Sequence, residues 1–188
     1  MSYLLNLLDS RKSIRKYENR SISRSKIISC IEAARLSPSA CNIQPWQFVV
    51  IDSAKVLRKI TNTAFAGIYY PNKFACSAPV LIAVIARPDK TVGRMANYIH
   101  GDRYYLFDVG FACSNLILRA KELKLGSCVI AWFDHERVKK VLKISPSLHV
   151  IALIAIGYAS SDGKKTRASK NRKKIANIMK FNVGSSNR

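Results

Sequence analysis

The decisive stretch of this sequence is the proline-bounded polar loop Ser37-Pro38-Ser39-Ala40-Cys41-Asn42-Ile43-Gln44-Pro45-Trp46. The apolar spacing before it predicts a helix, and the β-branched run after it predicts a strand. Pro38 and Pro45 favour an extended course, and the hydroxyl and amide groups between them can bind a polyol and the edge of a heteroaromatic ring. Those groups belong to Ser39, Asn42 and Gln44. A simple polar connector, with Trp46 as a core anchor, is the alternative, but it does not explain this density of polar groups.

A basic heptad, Arg11-Lys12-Ser13-Ile14-Arg15-Lys16-Tyr17, lies upstream between two predicted helices. It places four cations and a serine hydroxyl in one short connection. An irregular turn would leave backbone N–H groups free there, and the planar guanidinium of arginine suits a phosphate group. A basic linker that faces water is the alternative interpretation. Together with the polar loop at 37–46, the heptad favours a phosphate-containing ligand.

Together the two stretches read R-x-S-x-R-x-Y and A-R-x-S-P-S-x-x-N-x-Q-P-W-x-F, which resembles the opening of the nitroreductase family. The resemblance continues in order along nearly the whole chain. The further segments are Ala78-Pro79-Val80-Leu81-Ile82, Asp108-Val109-Gly110 with Asn115-Leu116, Leu125-Gly126-Ser127-Cys128, and Ile156-Gly157-Tyr158. It implies an FMN-binding homodimer with the flavin at the subunit interface.

Site residues follow from the same resemblance. Arg11, Lys12 and Ser13 would hold the phosphate and ribityl chain, and Arg15 would reach the pyrimidine end of the ring. The partner chain would contribute Pro38, Ser39, Ala40 and Asn42, with Gln44 nearby. Further ring or phosphate contacts would come from Lys73, Ile130, Ala131, Lys170 and Arg172. The sequence departs from the family at Ala40, where many members have serine, and at Ala131, where many have a glycine that approaches flavin N5.

The element order predicts an α+β fold with a mixed sheet flanked by helices. Four strands are expected at Trp46–Ile51, Pro79–Ala86, Ser127–Phe133 and His149–Ile156. The longest helix, from about 102 to 124, is apolar nearly all round and is predicted to pack on its mate in a dimer. Gly126 is expected to close that helix. The apolar stretch after Lys174 predicts an extension that docks on the partner subunit.

Length, charge and cysteine content limit the domain number, the function and the compartment that the sequence allows. The 188 residues have the length of a single domain, with a basic segment at 162–174 and a terminal extension at 175–188. The formal net charge of +21 leaves nucleic-acid binding open as an alternative function. No apolar run is long enough for a membrane span, and five cysteines without C-x-x-C spacing indicate a reducing compartment, so we expect a cytoplasmic protein.

The implied chemistry is an oxidoreductase that passes hydride from NADH or NADPH to flavin N5 and then reduces a nitro compound, quinone or similar acceptor in a ping-pong cycle. The motif G-x-G-x-x-G is absent, which fits a shared flavin pocket without a separate nicotinamide domain. No catalytic side chain is required, and three scattered histidines predict no metal site. Dehalogenation, dehydrogenation or flavin handling on the same fold remain alternatives.

Overall fold

The computed structural model describes residues 2–87, 105–161 and 172–181. Within these ranges the helices are α1 (Tyr3–Ser10), α2 (Arg24–Arg35), α3 (Ala54–Ala64), α4 (Tyr105–Glu122) and α5 (His135–Leu142). The strands are β1 (Trp46–Ile51), β2 (Val80–Ala86), β3 (Gly126–Ile130) and β4 (His149–Gly157). Shorter 3-10 turns span Ala40–Asn42, Gly67–Ser77 and Ile175–Asn177. This content confirms the predicted α+β class.

The sheet has the order β1-β2-β4-β3, and all three neighbouring strand pairs are antiparallel. The expectation of a mixed sheet is therefore wrong for these strands; a parallel contact is made by the isolated bridge between Ser13 and Ser127. Every residue of β2 is buried, as its continuous apolar run predicts, and such runs are typical of parallel strands. Helices cover both faces of this antiparallel sheet, which produces the same pattern.

Alternation along β2 divides the core into two layers. Val80, Ile82 and Val84 pack with α2 and α4 on one face, whereas Leu81 and Ala83 pack with α3 and α5 on the other. Successive side chains of a strand point to opposite faces, so one central strand serves both layers. The result is a three-layer arrangement with the sheet in the middle.

Helix α4 lies inside the predicted 102–124 helix, although residues 102–104 are outside the described ranges. One face of α4 is buried in the chain through Val109, Ala112, Leu116 and Ala120. The opposite face exposes an apolar stripe that we call the α4 stripe. It consists of Phe107, Gly110, Phe111 and Ser114. The exposed fraction is 66% for Phe107 and 51% for Phe111, so this chain leaves one apolar face of the helix uncovered.

Lys124, not Gly126, closes α4. Lys124 adopts the left-handed conformation (φ 61°), and the N–H groups of Lys124 and Leu125 donate to the carbonyls of Lys121 and Ala120. These two bonds form a Schellman motif. Gly126 instead starts β3, where a Cβ would lie 2.7 Å from Cγ1 and 2.9 Å from Cβ of Ile14. The glycine is needed so that the basic heptad can lie against the sheet.

We therefore expect Gly126→Ala to lower the free energy of unfolding by about 1–3 kcal/mol, the usual cost of overpacking a filled core. Urea denaturation measures this loss. In an Ile14→Ala background the same substitution should cost less, because most of the side chain that it meets is gone. Equal costs in both backgrounds would show that the Ile14 contact is not the cause.

Strand β3 ends at Ile130, three residues before the predicted end at Phe133. The carbonyl of Trp132 accepts a hydrogen bond from the Asn72 side chain at 2.8 Å, and the Trp132 side chain is exposed. The chain therefore turns away from the sheet at Ala131. Asp134 caps α5, and its side chain accepts from the Arg137 N–H at 2.9 Å. Ser23 and Ser53 precede α2 and α3 at the cap positions but make no side-chain capping bond.

Candidate functional site

The basic heptad runs extended along the sheet rather than forming an irregular turn. The Ile14 N–H donates to the Ser127 carbonyl at 2.9 Å, and the Glu18 N–H donates to the Tyr158 carbonyl at 2.8 Å. The buried Tyr17 hydroxyl lies 2.7 Å from the Ile14 carbonyl and 3.2 Å from that of Ala155. These backbone groups are engaged by the fold. The extended course therefore presents the cationic side chains of the heptad to a ligand.

A groove of about 380 Å³ opens where the heptad passes the end of α4. Four cations line it, Arg11 and Lys12 from the heptad and Lys121 and Lys124 from the helix end. No aspartate or glutamate is among the lining residues. In the described part of the chain, none of the four cations forms an ion pair. We call this the cationic groove; its charge suits a phosphate dianion.

Ser13 and Arg15 belong to the same side of the heptad as Arg11. Burial raises the pKa of the Cys128 thiol, while the positive charge of Arg15, a hydrogen bond with Ser13 and the positive charge of Arg11 act in the opposite direction. The isolated bridge between Ser13 and Ser127 places this part of the heptad beside β3. The spacing of two residues between Arg11, Ser13 and Arg15 is that of side chains on one face of an extended segment. The structure brings these three predicted residues together.

The 3-10 segment Gly67–Ser77 folds over the same region. The Arg15 guanidinium lies 5.7 Å from the centre of the Phe74 ring, and the Lys73 ammonium lies 5.2 Å from that of Tyr70. The Asn72 bond to Trp132 fixes this segment against the turn that follows β3. Lys73 belongs to this segment and Arg15 packs on it, so both cations are tied to the turn that follows β3.

Ile130 and Ala131 differ in what they can offer a ligand. The Ile130 side chain is buried in the core, so only its backbone can face a bound molecule. Ala131 is exposed, immediately beside the exposed Trp132. The turn after β3 is thus accessible at its backbone and at the Ala131 methyl group.

The second predicted set, in the loop from Pro38 to Gln44, forms a 3-10 turn rather than an extended course. Asn42, Gln44 and Cys41 all have left-handed backbones with φ near 50°. Such conformations are uncommon for residues other than glycine and cluster at ligand sites. Most of the predicted side chains in this loop point to solvent. The exposed ones are Pro38, Ala40, Asn42 and Gln44, whereas Ser39 is half-buried.

Helix α4 holds this loop in place. The Ala40 N–H lies 3.3 Å from each oxygen of the buried Asp108 carboxylate. Within the loop, the Ser39 hydroxyl accepts from the Gln44 N–H at 3.0 Å, and the Gln44 amide donates to the Asn42 side chain at 3.1 Å. The loop is a preformed polar surface anchored to the helix that carries the α4 stripe.

The two sets lie at opposite corners of the sheet. The loop leads into β1 at Trp46, which pairs with Ala86, whereas the heptad meets β3 at Ser127, which pairs with Ile156 opposite Val80. Six residues along β2 and three strand spacings separate these points. At about 3.3 Å per residue and 4.8 Å per strand, the separation is roughly 24 Å. Within one chain the sets do not form one compact pocket.

The predicted C-terminal pair is only partly described. Lys170 lies outside the described residues, and Arg172 is exposed. The turn that follows carries apolar side chains that are also exposed. They are Ile175, Ile178, Met179 and Phe181. In this chain, the described terminal segment does not enter the core.

A sequence profile of the Nitroreductase family matches residues 8–68 and 67–158, and so spans the heptad, the polar loop, the sheet and α4. The chain belongs to the nitroreductase family. A protein of Archaeoglobus fulgidus, provisionally named an NADH dehydrogenase/NAD(P)H nitroreductase, is 30% identical over 166 residues, covering 86% of this chain and 88% of that protein.

Two solved nitroreductase structures share this fold. A nitroreductase family protein from Clostridium novyi has a TM-score of 0.75 at 30% identity, with 88% of this chain and 89% of that chain covered. An FMN-dependent nitroreductase from Clostridium difficile has a TM-score of 0.75 at 25% identity, with 95% and 98% covered. In this chain, no helix among the described residues combines the length and hydropathy that a membrane span requires.

Sequence reasoning missed three residues of the site. Lys121 and Lys124 join the cationic groove only because α4 ends beside the heptad. Asp108 anchors the polar loop from a distant helix. A signal for Asp108 was present, since a carboxylate within a nearly all-apolar helix needs a partner when it is buried. The two lysines gave no signal, because basic residues are common at helix C-termini.

Proposed function

We propose that this nitroreductase is an FMN-dependent oxidoreductase that takes electrons from NADH or NADPH and passes them to nitro compounds, quinones or similar small electrophiles. The observation that carries the proposal is the cationic groove, which adjoins the R-x-S-x-R heptad on the surface beside β3. The FMN dependence of the Clostridium difficile relative supports the same cofactor. A cytoplasmic location suits the five free cysteines and the nicotinamide donors.

The residues present fit the phosphate end of FMN. A phosphate monoester carries close to two negative charges at neutral pH, and Arg11 with Lys12 supplies two positive charges at the edge of the groove. Both side chains are half-buried, which limits their motion. Ser13 adds a hydroxyl on the Arg11 side of the heptad. Lys170 and Arg172 are proposed to join them from the C-terminal segment.

Bound FMN would supply the two-electron chemistry, accepting hydride from the nicotinamide and releasing it to the acceptor in alternate half-reactions. This chain's own contribution is electrostatic. Arg15 and Lys73 lie at the 3-10 segment that Asn72 bonds to the turn after β3, and they would stabilise negative charge at the pyrimidine edge of the ring. Ala131 and the backbone of Ile130 would lie against the ring. No side chain here needs to transfer a proton.

We propose that the active species is a homodimer with two interfacial sites. The two sets of site residues lie too far apart in one chain to contact one isoalloxazine ring together. Polar-loop residues Pro38, Ser39, Ala40, Asn42 and Gln44 would therefore serve the partner's flavin. The α4 stripe would form the two-fold contact, and the exposed apolar turn at Ile175–Asn177 would pack on the partner. Burial of Phe107 and Phe111 would remove large exposed apolar surfaces.

The absorbance spectrum of the purified protein tests this proposal. We expect a yellow protein with a flavin band near one FMN per chain, and NADH- or NADPH-dependent reduction of a nitro compound or quinone. A colourless protein that does not bind added FMN would refute it. Salt-dependent binding to DNA without flavin would instead indicate that the net charge serves nucleic-acid binding.

Arg15→Gln should lower the reduction potential of the bound flavin. The amide keeps a hydrogen-bond donor but removes the charge that favours the reduced ring, and a loss of about 1–2 kcal/mol corresponds to a drop of about 20–45 mV for a two-electron couple. Potentiometric titration measures it. The control is Arg20→Gln, an arginine that lies over Tyr158 instead, at 4.1 Å. An unchanged midpoint in Arg15→Gln would place Arg15 outside the ring's electrostatic reach.

A further inference from the structure

The cationic groove carries more positive charge than one flavin phosphate requires. Arg11 and Lys12 already balance a dianion, and Lys121 and Lys124 add two further charges from a different element. The two lysines lie close together where α4 ends, since Lys121 is in its last turn and the Lys124 N–H donates to the Lys121 carbonyl at 3.0 Å. Positive charges placed this close to each other repel. An arrangement of this kind is favourable when an anion sits between the charges.

Among the residues that the structure describes, no acidic group neutralises the two lysines. Glu122 is the acidic residue nearest in sequence, and its carboxylate pairs with Arg119 and accepts a hydrogen bond from the Tyr3 hydroxyl at 2.8 Å. Burial does not explain the lysines either, because Lys124 is exposed and Lys121 is half-buried at the groove. Their ammonium groups are available to a ligand.

Lys124 also occupies a backbone position that glycine would fill with less strain. Its φ of 61° lies in the left-handed region, where helices usually place glycine after the last turn. Lys143 closes α5 in the same conformation, with φ 55° and the equivalent bonds to Lys140 and Lys139. Lys143 is not among the residues that line the groove. Lys124 and Lys143 therefore share one backbone conformation, and Lys124 is the one that lines the groove with the cations of the heptad.

We propose that Lys121 and Lys124 form a second phosphate subsite, which binds a phosphate group other than that of the flavin. The inference rests on the proposed function, since it takes Arg11 and Lys12 as the flavin's own phosphate contacts. The ligand chemistry is a phosphate monoester or inorganic phosphate. Its two possible sources are the 2′-phosphate of NADPH, which would give a preference for NADPH over NADH, and free phosphate.

Calorimetric titration of the flavin-loaded protein tests the subsite directly. The probes are adenosine 2′-monophosphate, adenosine and inorganic phosphate, each at low and high salt. The variants are Lys121→Gln and Lys124→Gly, and Lys143→Gly is the matched control. Both glycine variants relieve a left-handed lysine, so their melting temperatures should stay the same or rise. A change in binding then cannot be attributed to unfolding.

We expect adenosine 2′-monophosphate to bind at least tenfold more tightly than adenosine, and each groove variant to weaken that binding about tenfold while Lys143→Gly does not. The ratio of kcat/KM for NADPH to that for NADH should fall in parallel. If inorganic phosphate binds as tightly as the nucleotide, with the same dependence on the variants, free phosphate is the ligand.

Three results would overturn the subsite. They are no binding of any phosphate probe, equal weakening in Lys143→Gly, and loss of FMN from the groove variants, which would assign the lysines to the flavin phosphate. Failure of the proposed function is distinguishable from these. It is detected as absence of flavin in the spectrum before any titration, whereas the titration of the flavin-loaded protein reports on the lysines because Arg11 and Lys12 are then occupied.

Discussion

Arg11→Ala is expected to weaken FMN binding by about 1.5–3 kcal/mol, roughly 10- to 150-fold in the dissociation constant. The guanidinium is half-buried at the edge of a groove without carboxylates, where a charge-assisted bond to phosphate is poorly screened. Fluorescence titration of the flavin-free protein with FMN measures the loss. The effect should shrink only modestly at high ionic strength, because salt screens a partly buried charge pair less than an exposed one.

The substitution leaves the local fold intact, since the contact of Arg11 with α1 is made by its backbone N–H, which donates to the Leu7 carbonyl at 3.0 Å. Arg24→Ala is a suitable control. It removes an exposed arginine that pairs with Asp52 at 3.4 Å and does not line the groove. Arg172→Ala should weaken FMN binding as well, by a smaller factor. Unchanged affinity in both Arg11→Ala and Arg172→Ala would show that the phosphate binds elsewhere.

Strand β1 was predictable from local sequence alone, and β3 was not. Pro45 and Asp52 bound the apolar run of β1, so its limits at Trp46 and Ile51 follow from residue type. Trp132 has the side chain of a strand residue, but its carbonyl accepts a hydrogen bond from Asn72, which lies far away in the chain. No local pattern contains that contact, and the predicted strand was therefore too long.

Gly126 also shows the difference between what local sequence predicts and what tertiary packing decides. Gly126 follows α4 closely enough to resemble a helix cap, yet Lys124 makes the cap and Gly126 provides space for Ile14. A cap is a local property, whereas the space needed by Ile14 depends on how the heptad lies on the sheet. Sequence reasoning could find that a glycine was required here but could not find its purpose.

The heptad and the polar loop were both found in the sequence, because their residue types are unusual for connectors. Their placement at opposite corners of the sheet was not, since it depends on strand order. That order is also what gives the interfacial site its physical basis. The sequence predicted the heptad side of the cationic groove, because that side is a continuous motif. It did not predict the α4 side, which arises only from tertiary packing.

Phe111→Glu should convert the proposed dimer into a monomer. Phe111 is half exposed on the α4 stripe, and around a two-fold axis the substitution would bury one carboxylate from each chain close to its copy. Burial of unpaired charge costs several kcal/mol, which is a large fraction of a typical interface energy. Light scattering should report 21.1 kDa for the variant and twice that mass for the parent protein.

Loss of the dimer should also remove the flavin, and this links the interface to the site. A monomer keeps Arg11 and the cationic groove but lacks the polar loop of a partner, so FMN should bind only weakly through its phosphate. Lys59→Glu on the exposed side of α3 introduces the same acidic residue away from the α4 stripe and should retain both dimer and flavin. A monomeric Phe111→Glu variant that still holds FMN with full affinity would show that one chain suffices for the site. In that case the polar loop held by Asp108 would need a role other than flavin binding.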